Sequence, residues 1–208
     1  DPATTEIYTE DASSAASDVY KRQKEPRIEP LTPEKVSEIE LELFGEATNP
    51  SAKPLNVTGL WAKHPKLMAA QRGLQTHIFR SMTISPRLRE LAILRIGWRC
   101  KSGYELAQHA EFGKRAGLNK SDLARIKSGP EDSGWTGIES AIIRAVDEMF
   151  DNAFVSDETW HTLSEELDEQ QLIDLLSVVG RYWTVSVILN STGMQLEEDT
   201  LSFDEHLI

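Results

Sequence analysis

Two stretches of this chain, residues 86–101 and 169–192, are apolar nearly all the way round a helix, and this pattern limits the fold more than any other feature. The first carries Leu88, Leu91, Ala92, Ile93, Leu94, Ile96 and Trp98. The second carries Leu172, Ile173, Leu175, Leu176, Val178, Val179, Tyr182, Trp183, Val185, Val187, Ile188 and Leu189, with Gly180 allowing close helix approach. Helices of this kind are buried between other elements rather than laid on a surface. More apolar circumference is present than one shell of amphipathic helices can cover, so a partner subunit is expected over part of it.

The punctuation of the remaining chain is helical as well. Thr32 with Pro33 and Ser85 with Pro86 have the form of an N-cap followed by proline in the first turn. "TGIE" from Thr136 and "DEQQ" from Asp168 have capping-box spacing, and Gly117, Gly129 and Gly193 stand where helices should stop. The pattern predicts helices near 33–44, 57–63, 65–81, 86–101, 103–116, 120–128, 137–152, 157–166 and 169–192. The β-branched runs "LAILRI" and "VSVIL" lie inside longer capped helical patterns, and length decides for helix. The expected class is all-α, in a single domain over residues 24–208.

Residues 1–23 are polar and aperiodic and read as a disordered tail. Their last six, "DVYKRQ", also match what a transposon-end adapter from DNA library preparation encodes in frame, a short match that raises the suspicion of an artefactual tail. The net charge of −12 and the lack of a Lys/Arg cluster speak against nucleic acid as a partner. No signal-peptide pattern and no apolar run of membrane-spanning length are read, so no membrane is expected and the assigned compartment is the cytoplasm. A single cysteine, Cys100, permits neither an internal disulfide nor a thiolate-rich metal cage and reads as a buried thiol. His64, His77, His161 and His206 form no ligand pair, and no metal site is expected.

The stretch "RELAILRIGWRCKSGYELAQH" concentrates the unusual chemistry. Ser102, Glu105 and His109 are spaced i, i+3 and i+7, which places them on one helical stripe. Glu90 lies on the preceding helix, whose antiparallel return near residues 101–103 brings it toward the same stripe. A carboxylate-held histidine beside a second buried carboxylate is a common acid/base unit. The same spacing also suits a solvated Glu/His pair, with a buried Glu90 neutralised by Arg95, Arg99 or Arg181. Tyr182 and Trp183 read as core, with Tyr182 able to line a pocket wall.

Several separate segments, in order, carry a resemblance: "RIEPLTPE", "RLRELAILRIGWRC", "YELAQH", "AGL", "SAIIRAVDEM", "SDETW" and "LLSVVGRYWTVSVILNSTGMQLEE". Together they make residues 24–196 resemble the carboxymuconolactone decarboxylase family, whose fold is shared with the alkylhydroperoxidase D proteins. The resemblance implies an all-helical bundle assembling as a homo-oligomer, whether dimer, trimer or hexamer. The peroxidase branch resembles Glu-x11-Cys-x-His-Cys-x3-His, and at those positions this chain has Glu90, Ser102, Tyr104, Glu105 and His109, so both thiols of the redox pair are missing. The decarboxylase branch is similar in keeping Glu-x3-His, here Glu105 and His109, and needs no cofactor. The implied site has Glu90, Glu105 and His109 as catalytic residues and Ser102, Tyr104 and Tyr182 around a small-molecule substrate. The implied activity is acid/base chemistry on a small carboxylate, lactone or carbonyl compound. A peroxidase-like activity through Cys100 and a noncatalytic, structural role are the alternatives.

Overall fold

A computed structural model describes residues 26–46 and 53–208 of the chain. The tail expected over residues 1–23 lies outside the described residues. Among the described residues there are α-helices and no strand: α1 Pro33–Phe44, α2 Asn56–Ala62, α3 Pro65–Arg80, α4 Pro86–Arg99, α5 Gly103–Arg115, α6 Lys120–Ser128, α7 Gly137–Asn152, α8 Asp157–Ser164 and α9 Glu169–Thr192, followed by a 3-10 turn at Glu205–Leu207. The caps set these ends. The Thr32 and Ser85 hydroxyls accept from the N–H of Lys35 and Leu88, and the Thr136–Glu139 and Asp168–Gln171 capping boxes both close. Gly117, Gly129 and Gly193 all take positive φ at the breaks.

The chain divides into two compact units. One comprises the described residues up to Pro65 with Ile188–Glu197. Here Gly59 is required by space: a Cβ would lie 2.7 Å from the Leu31 carbonyl oxygen, and that approach lets the Leu31 N–H reach the Gly59 carbonyl at 3.1 Å. Asn56 ties α2 to the segment after α9, its N–H donating to Glu197 at 2.7 Å and its side-chain amide to the Gln195 carbonyl at 3.1 Å.

The other unit, Lys66–Val187 with Glu198–Ile208, holds the main core. At its centre α4 is buried continuously from Glu90 to Gly97 and packs chiefly on α5 and α7. Leu91, Ile93, Leu94 and Ile96 meet Ile142, Ile143 and Val146 of α7 and Leu175, Val178 and Val179 of α9 in one cluster. Truncating a side chain such as Leu91 to alanine would cost about 2–5 kcal/mol. A helix sealed on all sides in this way has no solvent face for its polar residues, so each one needs a partner inside.

One expectation about α9 needs correction. The helix is long and apolar enough, by length and composition, to cross a membrane, although half of that stretch is buried within the chain. Its buried face is a core face, and it also holds Asp174, which bonds His77 and Thr83. As the excess of apolar circumference implies, α9 is not covered all round within the chain: Ile173, Trp183 and Val187 are 62%, 51% and 46% exposed. Their spacing puts them along one side of the helix, opposite the residues that enter the core.

Candidate active site

The geometry of the site begins at the turn between α4 and α5. Lys101 sits at φ 53, its N–H donating to the Trp98 carbonyl at 3.0 Å, and Ser102 N–H donates to the Gly97 carbonyl at 2.9 Å. These two bonds form a Schellman motif that folds the chain straight back. The return sets α5 antiparallel to α4, so that Glu90 comes opposite the last of the striped residues rather than the first. At Gly97 the two helices lie within van der Waals reach, a Cβ there meeting Glu105 Cβ at an ordinary 3.5 Å.

Glu90, Glu105 and His109 therefore meet. Glu90 Oε2 lies 2.7 Å from His109 Nδ1, and Glu105 Oε2 lies 3.6 Å from His109 Nε2. All three side chains are within the core, at 0%, 5% and 4% exposure for Glu90, Glu105 and His109. Phe79, Phe112 and Tyr182 wall the imidazole, with ring centroids 6.4, 5.2 and 4.8 Å away. Between two carboxylates and three aromatic rings, His109 has one orientation available.

The two carboxylates are not equivalent. Burial pushes Glu90 upward, but the charges and hydrogen bonds of His109 and Arg89 outweigh it and hold the carboxyl below its usual range. Arg89 approaches the other oxygen of Glu90, with Nη2 at 2.8 Å and Nε at 2.9 Å. An ionised carboxylate only accepts, so His109 Nδ1 carries a proton and donates it to Glu90. For Glu105, burial dominates and raises the carboxyl, with the Glu90 charge adding to the effect and His109 and Arg181 opposing it. The environments push two acids on either side of one imidazole in opposite directions, the usual sign of divided acid and base roles.

The other predicted residues fall into place unevenly. Ser102 is wholly buried at the N-cap of α5, and its hydroxyl has no hydrogen-bond partner among the described residues. The Tyr182 ring stands edge-on to His109, and burial together with the Glu105 and Glu90 charges raises its phenol well above the usual range. Tyr104 is buried but lies about 100° round α5 from Glu105, off the shared stripe. Cys100 is half-buried, and burial pushes its thiol up to about 11. Among the described residues no group of His, Cys, Asp and Glu is arranged to hold a metal ion.

The charge partners expected for Glu90 are a correction. Arg95 serves Asp147 and Arg99 serves Asp147 and Asp151, while Arg181 acts on Glu105 and Tyr182. The actual partner, Arg89, is adjacent in sequence, and helix-face arguments pass over neighbours because their Cβ atoms diverge. Its guanidinium reaches back across the helix, donating to the Ile78 carbonyl at 3.1 Å and lying over the Phe79 ring at 5.4 Å.

Residues 65–148, which include Glu90, Glu105 and His109, match the model of the carboxymuconolactone decarboxylase family. That matched stretch is similar to the carboxymuconolactone decarboxylase family and spans less than half of the chain. The chain lacks the cysteine pair of the peroxidase branch, having one cysteine in all. Solved structures share the fold. An uncharacterized peroxidase-related protein from Silicibacter sp. TM1040 is 16% identical over 84% of this chain and 90% of its own, at a TM-score of 0.63. An alkylhydroperoxidase AhpD core protein from Ralstonia eutropha JMP134 is 12% identical over 85% and 92%, also at 0.63. The debrominase Bmp8, solved as a cysteine-to-alanine variant with 2,3,4-tribromopyrrole, is 15% identical over 82% and 91%, again at 0.63. No curated protein matches the chain. The fold is thus shared by proteins as different as a peroxidase-related protein and a debrominase, and the chemistry has to be argued from the site.

Proposed function

We propose that this protein is an acid/base enzyme of the carboxymuconolactone decarboxylase kind, moving a proton on a small carboxylate, lactone or carbonyl compound without an added cofactor. The observation that carries the reading is His109 held between an ionised carboxylate at 2.7 Å on Nδ1 and a carboxyl with raised affinity for its proton at 3.6 Å on Nε2. Glu90 fixes the tautomer and stabilises the imidazolium, and Nε2 is the nitrogen left to exchange protons. In a decarboxylation, the bond to the departing carboxylate breaks and its electron pair remains on the neighbouring carbon as an enolate. The imidazolium delivers its Nε2 proton to that carbon, Glu105 restores the proton to Nε2, and solvent reprotonates Glu105. A thiol-peroxidase reading rests on Cys100, whose burial keeps the thiol protonated where the reaction needs a thiolate.

The test is incubation with a panel of small carboxylates, lactones and keto acids in deuterated water, following carbon-bound deuterium and released carbon dioxide. His109→Ala should lower the rate by roughly 10²- to 10⁴-fold with its helical content unchanged. A fully active variant overturns the reading. Inactivity of the wild type across the panel, with a large fall in melting temperature for both His109→Ala and Glu105→Gln, favours the noncatalytic role. Hydroperoxide consumption abolished by Cys100→Ser favours the thiol reaction. We also propose that the exposed Ile173, Trp183 and Val187 stripe seats a second copy of the chain. Light scattering should then give a multiple of 23.4 kDa, and a stable monomer overturns that assembly.

A further inference from the structure

The first turn of α5 leaves a cap unmade. Ser102-Gly103-Tyr104-Glu105 has the serine and glutamate spacing of a capping box. Where this spacing recurs as Asn119 with Asp122, Thr136 with Glu139 and Asp168 with Gln171, both reciprocal bonds form. At Ser102 neither does: the hydroxyl makes no cap bond, and Glu105 turns along the helix toward His109 instead. Among the described residues, the Ser102 hydroxyl, at 0% exposure, and Glu105 Oε2, at 5% residue exposure, are both without a hydrogen-bond partner. The first-turn N–H groups of a helix have no partner within it and look outward for acceptors. A buried polar atom without a partner is costly, so two of them at one helix end indicate an absent third party.

We propose that the first turn of α5 is an oxyanion cradle, in which the Ser102 hydroxyl and the first-turn N–H groups donate to a carbonyl or carboxylate oxygen of the substrate. The inference rests on the acid/base reading and narrows the substrate to compounds with that oxygen one carbon from the atom that exchanges its proton with His109. The positive end of the α5 dipole favours negative charge at this point, and donors fixed in advance act most strongly where charge develops during reaction. Local charge permits it. Glu90 is matched by Arg89, and Arg181 adds positive charge beside Glu105. Burial raises the Glu105 carboxyl and so favours the protonated form, which can donate toward the same oxygen.

Oxalate, a planar dianion whose oxygens are placed like those of an enediolate, is the probe. Its titration into the full ¹⁵N-labelled chain should give saturable shifts at the Gly103, Tyr104 and Glu105 amides. Ser102→Ala should weaken oxalate binding about tenfold or more, as expected for a lost hydrogen bond to a charged group. Its melting temperature should not fall, because the oxygen removed bonds nothing in the free protein. Absence of shifts at these amides, or unaltered oxalate affinity in Ser102→Ala, overturns the cradle. His109→Gln separates the two readings. Binding retained with deuterium exchange lost supports both; binding retained with full exchange overturns the acid/base reading alone; exchange lost with no shifts at the α5 amides overturns the cradle alone.

Discussion

Helix α4 carries two kinds of buried polar network within a few turns, and they differ in completeness. Arg95 places Nε and Nη2 on the two oxygens of Asp147 at 2.7 Å each and gives Nη1 to the Ile126 carbonyl at 2.6 Å. Arg87 likewise reaches Glu139 at 2.7 Å, Asp122 at 3.0 Å and the Gly117 carbonyl at 2.7 Å. Each of these arginines makes three hydrogen bonds, and their geometry fastens α4 to α6 and α7. The chain of groups from Arg89 through Glu90 and His109 is equally well ordered, then stops short at Glu105, 3.6 Å away with an unbonded oxygen. A filled network specifies a fold; one with a gap at its end keeps a proton with somewhere to go.

The sharpest way to break this comparison is to injure a member of each network. Asp147→Ala leaves the Arg95 guanidinium buried without its counter-charge and should cost about 3–5 kcal/mol in denaturant unfolding, with site chemistry intact in the folded fraction. Glu90→Gln should cost less, about 1.5–3 kcal/mol, because the amide oxygen still accepts one bond. The sign with pH follows from the depressed Glu90 carboxyl. Its stabilisation is complete above the ordinary carboxyl range and is lost as pH falls through the folded value, so wild type and Glu90→Gln should converge in acid. Equal stability of the two proteins at neutral pH would mean that Glu90 is not held as described.

Glu105→Gln should act in the opposite direction, although it changes a carboxylate beside the same imidazole. A buried acid with a raised value binds its proton more tightly folded than unfolded, so stability declines as pH rises from the ordinary carboxyl range to the folded value. The amide does not titrate. Its advantage should be absent in acid and reach on the order of 1 kcal/mol above neutrality, measured as paired unfolding curves over pH. A variant less stable than wild type at alkaline pH would make Glu105 a structural member of the network and erase the distinction drawn above.

How far the sequence could be read depended on the range of the interactions. α1, α6, α7 and α9 begin and end where the pattern places them, because caps, first-turn prolines and stop glycines act within a turn. The meeting of Glu90, Glu105 and His109 followed from one helical stripe and one short antiparallel return. Less local facts stayed hidden. The Arg89 side chain crosses its own helix, a path no spacing rule describes, and the distribution of Arg95 and Arg99 to Asp147 and Asp151 depends on where α7 lies. The unmade cap at Ser102 could not be seen, since its residues are those of a cap that does form elsewhere in this chain. Tyr104 follows from motif position alone, and helix phase turns it away from the stripe.

The smallest effect expected concerns the turn itself. Lys101 and Ala153 are non-glycine residues with φ 53, each just beyond a helix end. The left-handed region costs a residue with a Cβ roughly 1–2 kcal/mol, while glycine gives back about 0.4–1 kcal/mol through its freer unfolded chain. Lys101→Gly and Ala153→Gly should therefore each stabilise by about 0.5 kcal/mol, readable as a small rise in the unfolding midpoint. What separates them is location. Ala153 ends α7 with its N–H on the Met149 carbonyl, whereas Lys101 directly precedes the N-cap of α5. A strained residue that holds a site in place changes function when relaxed, so Lys101→Gly should also weaken oxalate binding and Ala153→Gly should not. If both variants gain stability and neither alters binding, the strain at Lys101 belongs to chain reversal alone, and the two turns are equivalent.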